Sequence, residues 1–200
     1  MRNALDGRLG HVRCAIEAVY HRHNVSAILR TCDSLGLQHV HLVQGHFEPA
    51  KGAARGAETW LDLHRERTVT QAIDNIRAAG FQIWVADLAE DAATPEQVPL
   101  DKPVCLWFGA ELVGVSDEAR AAADGVVTVP MWGLAQSLNV SVAAALTMRP
   151  VAERARALGK TALLADDERE HIWKKWMDRE GAMRDGTKAR MAQSLPPPTE

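Results

Sequence analysis

Apolar positions along the chain alternate between two spacings. Residues 12–19 form a short apolar run that reads as a strand, and residues 24–35 follow helical spacing up to a stop at Gly36. Residues 37–43 alternate apolar and polar as a strand does. Residues 69–79 form an amphipathic helix ended by Gly80, and residues 81–88 form another strand. The run 104–108 reads as a buried strand. Ser116 N-caps a short alanine-rich helix, residues 125–129 give a further strand, and residues 138–148 a long apolar helix. Pro150 predicts a break or kink before 151–158. The stretch 45–67, rich in Gly, Ala and charge, reads as a loop with a short helix. Residues 171–191 suggest an appended helix carrying Trp173, Trp176 and several basic side chains, and the proline-rich end 194–200 is expected to be disordered. Alternation of this kind predicts an α/β fold with a mostly parallel sheet and helices on both faces. There is no internal repeat.

Composition narrows this picture without changing it. The 200 residues suit one domain with appendages, and 46% hydrophobic content is enough for a core. A net charge of −3 demands no nucleic-acid partner and excludes none, because local clustering decides. Cys14, Cys32 and Cys105 are scattered and form no CxxC pair, which argues against disulfides and zinc and for a reducing, cytoplasmic setting. No apolar run would span a bilayer, so no membrane partner is expected.

The usual nucleotide and hydrolase signatures are missing: no GxGxxG follows a strand, and there is no Walker loop or GxSxG elbow. Three segments stand out instead, each where a strand meets a helix, the place where open α/β sheets bind ligands. They are residues 23–30, residues 109–114 and residues 129–141. In the first, Asn24 at a helix start suits an N-cap. Arg30, among apolar neighbours, is either salt-bridged at the rim or aimed at an anion. Six residues separate the two, a rotation of about 600°, so they share no stripe. In the second, Gly109 and Gly114 bracket Glu111, which permits close approach to backbone or makes a simple turn. In the third, Gln136, Ser137 and Asn139 punctuate an apolar setting before a helix, and Ser137 as N-cap accounts for only part of it. The pairs His21/His23 and His39/His41 could each share a strand face, but with no third ligand in view they read as surface or loop histidines. Trp173 and Trp176 could stack on bases, and packing onto the body or a partner is the preferred reading.

Taken together and in order, the three segments resemble the signature of the SPOUT superfamily, and within it the TrmH (SpoU) family of RNA 2′-O-ribose methyltransferases. The match covers roughly residues 12–150. The resemblance implies a deep trefoil knot in the C-terminal part of the sheet domain and a homodimer, with residues 138–148 as an interface candidate. It implies S-adenosylmethionine, without a metal, held by Ala86, Gly109, Val129, Pro130, Met131 and Leu138. It also implies Arg30, Asn24, Glu111, Ser137 and Asn139 as catalytic residues, with Arg30 acting on the ribose 2′-hydroxyl. The expected organisation is an N-terminal extension (1–11), a methyltransferase domain (12–158) and a C-terminal helical extension with a disordered tail (159–200). Arg2, Arg8 and Arg13 in front and the basic cluster 174–190 behind resemble tRNA enzymes that methylate guanosine 18 in the D-loop. The alternatives are another tRNA position, rRNA, or a non-catalytic RNA-binding protein of the same fold.

Overall fold

The computed structural model describes residues 1–19, 21–44, 56–110 and 113–194, with side chains to residue 184. Six strands form one sheet: β1 (Val12–Glu17), β2 (His39–Val43), β3 (Asp62–Glu66), β4 (Gln82–Ala86), β5 (Val104–Phe108) and β6 (Gly125–Val127). Their order is β3-β2-β1-β5-β4-β6 and every pairing is parallel. The order reverses between β1 and β5, so their carboxyl ends mark the switch point where such sheets place ligands. The helices are α1 (Arg2–Asp6), α2 (Arg22–Leu35), α3 (Val69–Ala78), α4 (Asp117–Ala121), α5 (Val140–Ala157) and α6 (Asp166–Ser194).

Period-two alternation splits the sheet into two cores. Cys14, Ile16, Val40, Leu42, Leu106 and Phe108 face one way, against Val25, Ile28 and Leu29 of α2 and Met148, Val151 and Ala155 of α5. Ala15, Val43, Ile83, Val85, Cys105 and Trp107 face the other way, against Val69, Ala72 and Ile76 of α3 and Ala119 of α4. Helices therefore cover both faces, as the alternation predicts. A third cluster joins α1 to α6: Leu5, Leu164, Ile172 and Trp176, with Trp60 and Trp173 beside them. Trp176 is buried, donates to the Trp60 carbonyl at 3.1 Å and meets the Trp60 ring edge-on, so these tryptophans pack α6 onto the body.

Five local expectations need correction. The stretch expected as a loop to residue 67 contains β3, whose sequence Asp62-Leu63-His64-Arg65-Glu66 has one apolar residue and so carries no strand signature. Helix α2 begins at Arg22 with His21 as N-cap, so Asn24 lies inside its first turn. Helix α5 begins at Val140 with Asn139 as its cap, where Ser137 had been the candidate, and it runs through Pro150. Buried side chains on both sides of the proline, Met148 and Val151, hold the helix in place despite the missing amide. His39 and His41 are buried, where surface positions were expected. Residues 45–55 of the expected loop and 195–200 of the expected tail lie outside the described residues.

Candidate active site

A cavity of about 360 Å³ opens at the carboxyl ends of β4, β5 and β6. Its walls are the strand ends themselves (Ala86, Asp87, Phe108), the turn at Gly109, Ala110 and Gly114, and the crossing segment from Val127 to Asn139. Val140, Ala143 and Thr147 of α5 close it.

Each wall has a local cause. All five residues of β5 are buried, and the chain must turn sharply at their end. A Cβ on Gly109 would run into the backbone of Gly114 and Val115, so only glycine fits. Ala110 and Gly114 then close the turn with reciprocal hydrogen bonds of 3.0 and 2.9 Å, Gly114 taking a left-handed φ of 70°. On the β4 side, Asp87 N donates to the Val127 carbonyl at 3.1 Å, and the Asp87 carboxylate is paired with Arg120. The segment after β6 is tied by Thr128 N to the Ala93 carbonyl at 2.9 Å. It exposes Trp132 and Leu134 almost completely, at 93% and 104%.

Of the residues expected to hold the cofactor, Ala86, Gly109, Val129, Met131 and Leu138 all line this cavity, whereas Pro130 is exposed and does not. Ser137 and Asn139 line it too. Asn139 does two jobs. Its Oδ1 caps α5 by accepting from the Ser141 amide at 2.9 Å and the Ser141 hydroxyl at 2.6 Å, while its Nδ2 donates to Asn24 Oδ1 at 3.2 Å. The first and third segments therefore meet directly, although 115 residues separate these two asparagines. Glu111 lies outside the described residues.

Arg30 is elsewhere. It lines a second cavity of about 600 Å³, with His23, Ala27, Thr31 and Ser34 of α2 and Ala145 and Arg149 of α5. Ala143 and Thr147 face the first cavity and Ala145 and Arg149 the second. At about 100° per residue these pairs point to opposite sides of the helix. Within one chain, α5 stands between Arg30 and the cleft. The exposed Arg30 guanidinium has no hydrogen bond or ion pair to a described residue, while Arg149 pairs with Glu153 at 2.9 Å.

A second polar cluster escaped the sequence reading. His39 Nδ1 lies 3.0 Å from His64 Nε2, and His39 Nε2 lies 2.7 Å from a Glu168 carboxylate oxygen at the start of α6. His41 stacks on His64 with ring centroids 4.6 Å apart. Burial, helped by the neighbouring His64, Arg13 and His39, lowers the His41 pKa to about 3. Burial likewise lowers that of His64 to about 4, with His39 and Arg13 adding to the effect. The Glu66 carboxylate lies 3.3 Å from His41 Nδ1. The even spacing of His39 and His41 was the available signal, but their partners come from β3 and α6. Among the described residues no group of histidines, cysteines and acids is arranged to hold a metal. The thiols are buried, and burial pushes Cys105 up to about 12, which leaves no thiolate nucleophile there.

The cleft therefore offers backbone groups and apolar walls, with Asp87, already paired, as the one charged lining residue among the described residues. That set suits a ligand gripped by main chain, with chemistry supplied by an outside cation. The sequence model of the SpoU rRNA Methylase family matches residues 11–149. A tRNA (guanosine(18)-2′-O)-methyltransferase of Escherichia coli is 37% identical over 135 residues, 66% of this chain and 59% of that protein. The chain thus spans less than two thirds of this relative. The crystal structure of the TrmH/SpoU tRNA modifying enzyme of Aquifex aeolicus superposes with a TM-score of 0.81 at 30% identity, covering 90% of this chain and 93% of that one. The Streptomyces viridochromogenes SpoU methyltransferase AviRb, solved with AdoMet, gives 0.66 at 25% identity, covering 76% and 63%.

Proposed function

The chain belongs to the SpoU rRNA Methylase family, and on that premise we propose that it is an S-adenosylmethionine-dependent 2′-O-ribose methyltransferase of tRNA, acting on guanosine 18 in the D-loop. The observation that carries this reading is the main-chain cleft at the carboxyl ends of β4, β5 and β6, bounded at Gly109 by a turn so tight that no side chain fits. The E. coli relative's name and the AdoMet-bound neighbour supply target and donor.

When bound, S-adenosylmethionine supplies a methyl group on a sulfonium, a good leaving group. Ala86, Gly109, Val129, Met131 and Leu138 would hold the donor by backbone and apolar contact, with Pro130 fixing φ in the crossing segment. The harder task is a ribose hydroxyl that must shed its proton to solvent as it attacks. The Arg30 guanidinium has only donors and no acceptor for that proton. Its role is to stabilise the developing alkoxide and to hold the adjacent phosphate. Asn24 and Asn139, bonded to each other, and Ser137 at the cleft edge orient the ribose, and Glu111 fixes the loop it lies on. A D-loop nucleotide fits because an unstacked base exposes its 2′-hydroxyl.

Because α5 separates Arg30 from its own cleft, we assign the working form as a homodimer, in which a second copy can bring the two together. Val142 and Leu146, apolar and about half exposed on α5, suit such an interface. The crossing segment, which returns from β6 over the ends of β4 and β5 to reach α5, is read as the passage that forms a deep trefoil knot. Residues 12–158 are assigned to the methyltransferase domain, with 1–11 and 159–200 as N- and C-terminal extensions; of the basic side chains expected in front, Arg8 is buried against Asp33 and Arg2 pairs with Glu170. Among the described residues no helix is long and apolar enough to cross a membrane, and the assignment places the enzyme with tRNA in the cytoplasm.

The test is Arg30→Ala. Methyl transfer to unmodified tRNA should fall by about 100-fold or more, as for other charge-stabilising donors, while calorimetry shows donor binding unchanged. Full activity in this variant would remove Arg30 from the chemistry. Transfer to a nucleotide other than guanosine 18, mapped by mass spectrometry, would reassign the target.

A further inference from the structure

One buried acid lies behind the cleft and has no part in the chemistry above. Glu17 ends β1, one residue beyond the Ile16–Phe108 pairing, and is 3% exposed. A carboxylate so far from water is costly unless donors reach it. Two do, from different elements. The indole Nε1 of fully buried Trp107, on β5, donates at 2.8 Å, and the backbone amide of Ser116 donates at 3.3 Å. Ser116 is itself the cap of α4, accepting from the Ala119 amide at 3.2 Å. Trp107 lies just before the Gly109–Gly114 turn and Ser116 just after it, so one carboxylate fastens both ends of that loop to β1. The chain also leaves Glu17 through Ala18 at φ 48°, a left-handed conformation unusual for alanine, with its amide bonded to the Val43 carbonyl at 3.0 Å. That exit keeps Glu17 at the strand end.

We infer that Glu17 is a positioning residue for methyl transfer, its carboxylate setting the loop that forms one wall of the donor cleft. The inference rests on the methyltransferase reading. It touches neither donor nor ribose and acts through the backbone of Gly109, Ala110 and Gly114. It is therefore specific for the donor: loosening the loop weakens the grip on S-adenosylmethionine and leaves tRNA capture, which uses other surfaces, as it was.

The experiment compares the full-length wild type with Glu17→Gln, which keeps the shape and removes the charge. Donor Kd is measured by calorimetry, KM is measured separately for donor and tRNA, and amide exchange is followed at Ser116 and Gly114. The expected result is a rise of about 10-fold in donor Kd and donor KM, the weight of one charge-assisted hydrogen bond. The tRNA KM and the melting temperature should stay near wild type while the two loop amides exchange faster. Donor constants equal to wild type would overturn the inference. So would a joint rise in both KM values with a lowered melting temperature that cooling reverses, because that is general destabilisation. If Glu17→Gln does not fold, Trp107→Phe removes one donor alone and should show the same donor-selective loss, about threefold; no loss there overturns the inference too. A wild-type chain that neither binds the donor nor methylates tRNA would sink the underlying reading, a result visible before any substitution is made.

Discussion

The protein has two concentrations of polar groups on its sheet, and they are organised in opposite ways. The cleft at the carboxyl ends of β4, β5 and β6 is walled by backbone and small or apolar residues. The histidine layer over β2 and β3 consists of ionisable side chains that pair with one another, His39 with His64 and Glu168, His41 with Glu66, and Lys175 with Asp62, while His41 Nε2 is buried without a hydrogen-bond partner among the described residues. The first leaves hydrogen-bonding capacity open to a ligand. The second spends it internally, joining the sheet to α6. A dense set of histidines and acids is the more conspicuous sign of chemistry, yet here its groups face one another, and it is the inconspicuous glycine turn that the proposed function uses.

The largest test of that contrast is acid. His41 and His64 have folded pKa values lowered to about 3 and about 4. The unfolded chain, with histidines near the ordinary 6.5, therefore binds more protons below that pH. The stability these neutral rings preserve is full above pH 6.5 and is lost as pH falls toward 4, by at most about 1.4 kcal/mol per pH unit for each histidine. Glu168 adds to the loss at the acid end, because the hydrogen bond from His39 holds its carboxyl below the usual range. The melting temperature should fall steeply between pH 6.5 and 4.5, and His41→Gln should flatten the slope. Donor affinity over the same interval should track only the folded fraction. A melting temperature independent of pH would show that the layer is not the sealed, neutral cluster described here.

Next in size is Gly109→Ala. The new methyl group meets backbone that cannot swing aside as a flexible side chain would. Overpacking of this kind costs roughly 1–3 kcal/mol. If it falls on the loop, donor affinity should drop by about 10- to 100-fold, while the acid profile stays that of wild type. Donor affinity unchanged in Gly109→Ala would mean that the turn is not part of the binding wall.

The same contrast explains what the sequence could and could not reveal. The cleft was legible because its parts are local: a glycine after a buried strand and polar residues before a helix. Five of the sheet's six strands, β1, β2, β4, β5 and β6, carry their own apolar patterns. The histidine layer was not legible, because its third ring comes from β3, a strand with one apolar residue, and its acid comes from α6, 129 residues beyond His39. Period two correctly put His39 and His41 on one face but could not say that the face was covered. Glu17 left a signal that went unused: an acid closing the apolar run Cys14-Ala15-Ile16. Arg30 shows the opposite failure. Its segment was read from order and spacing, but its separation from the cleft by α5 depends on which way each turn of that helix faces, and no local pattern records that.

The smallest effect concerns the asparagine bridge that joins α2 to the cleft. Asn139 both caps α5 and donates to Asn24, so Asn139→Ala loses two functions while Asn24→Ala spares the cap. Loss of an N-cap costs about 1 kcal/mol of stability, and loss of a single exposed amide hydrogen bond costs about 0.5–1 kcal/mol. Asn139→Ala should therefore lower both the melting temperature and the rate. Asn24→Ala should cost no more than about 1 kcal/mol of stability and lower kcat by a few fold, with donor Kd unchanged. The discriminating quantity is the double variant. If the asparagine bridge orients the ribose as one unit, removing both partners should slow methyl transfer no further than Asn139→Ala alone. Rate losses that simply multiply would show that the two asparagines act separately, and the bridge would then be a consequence of the cap and no part of the ribose site.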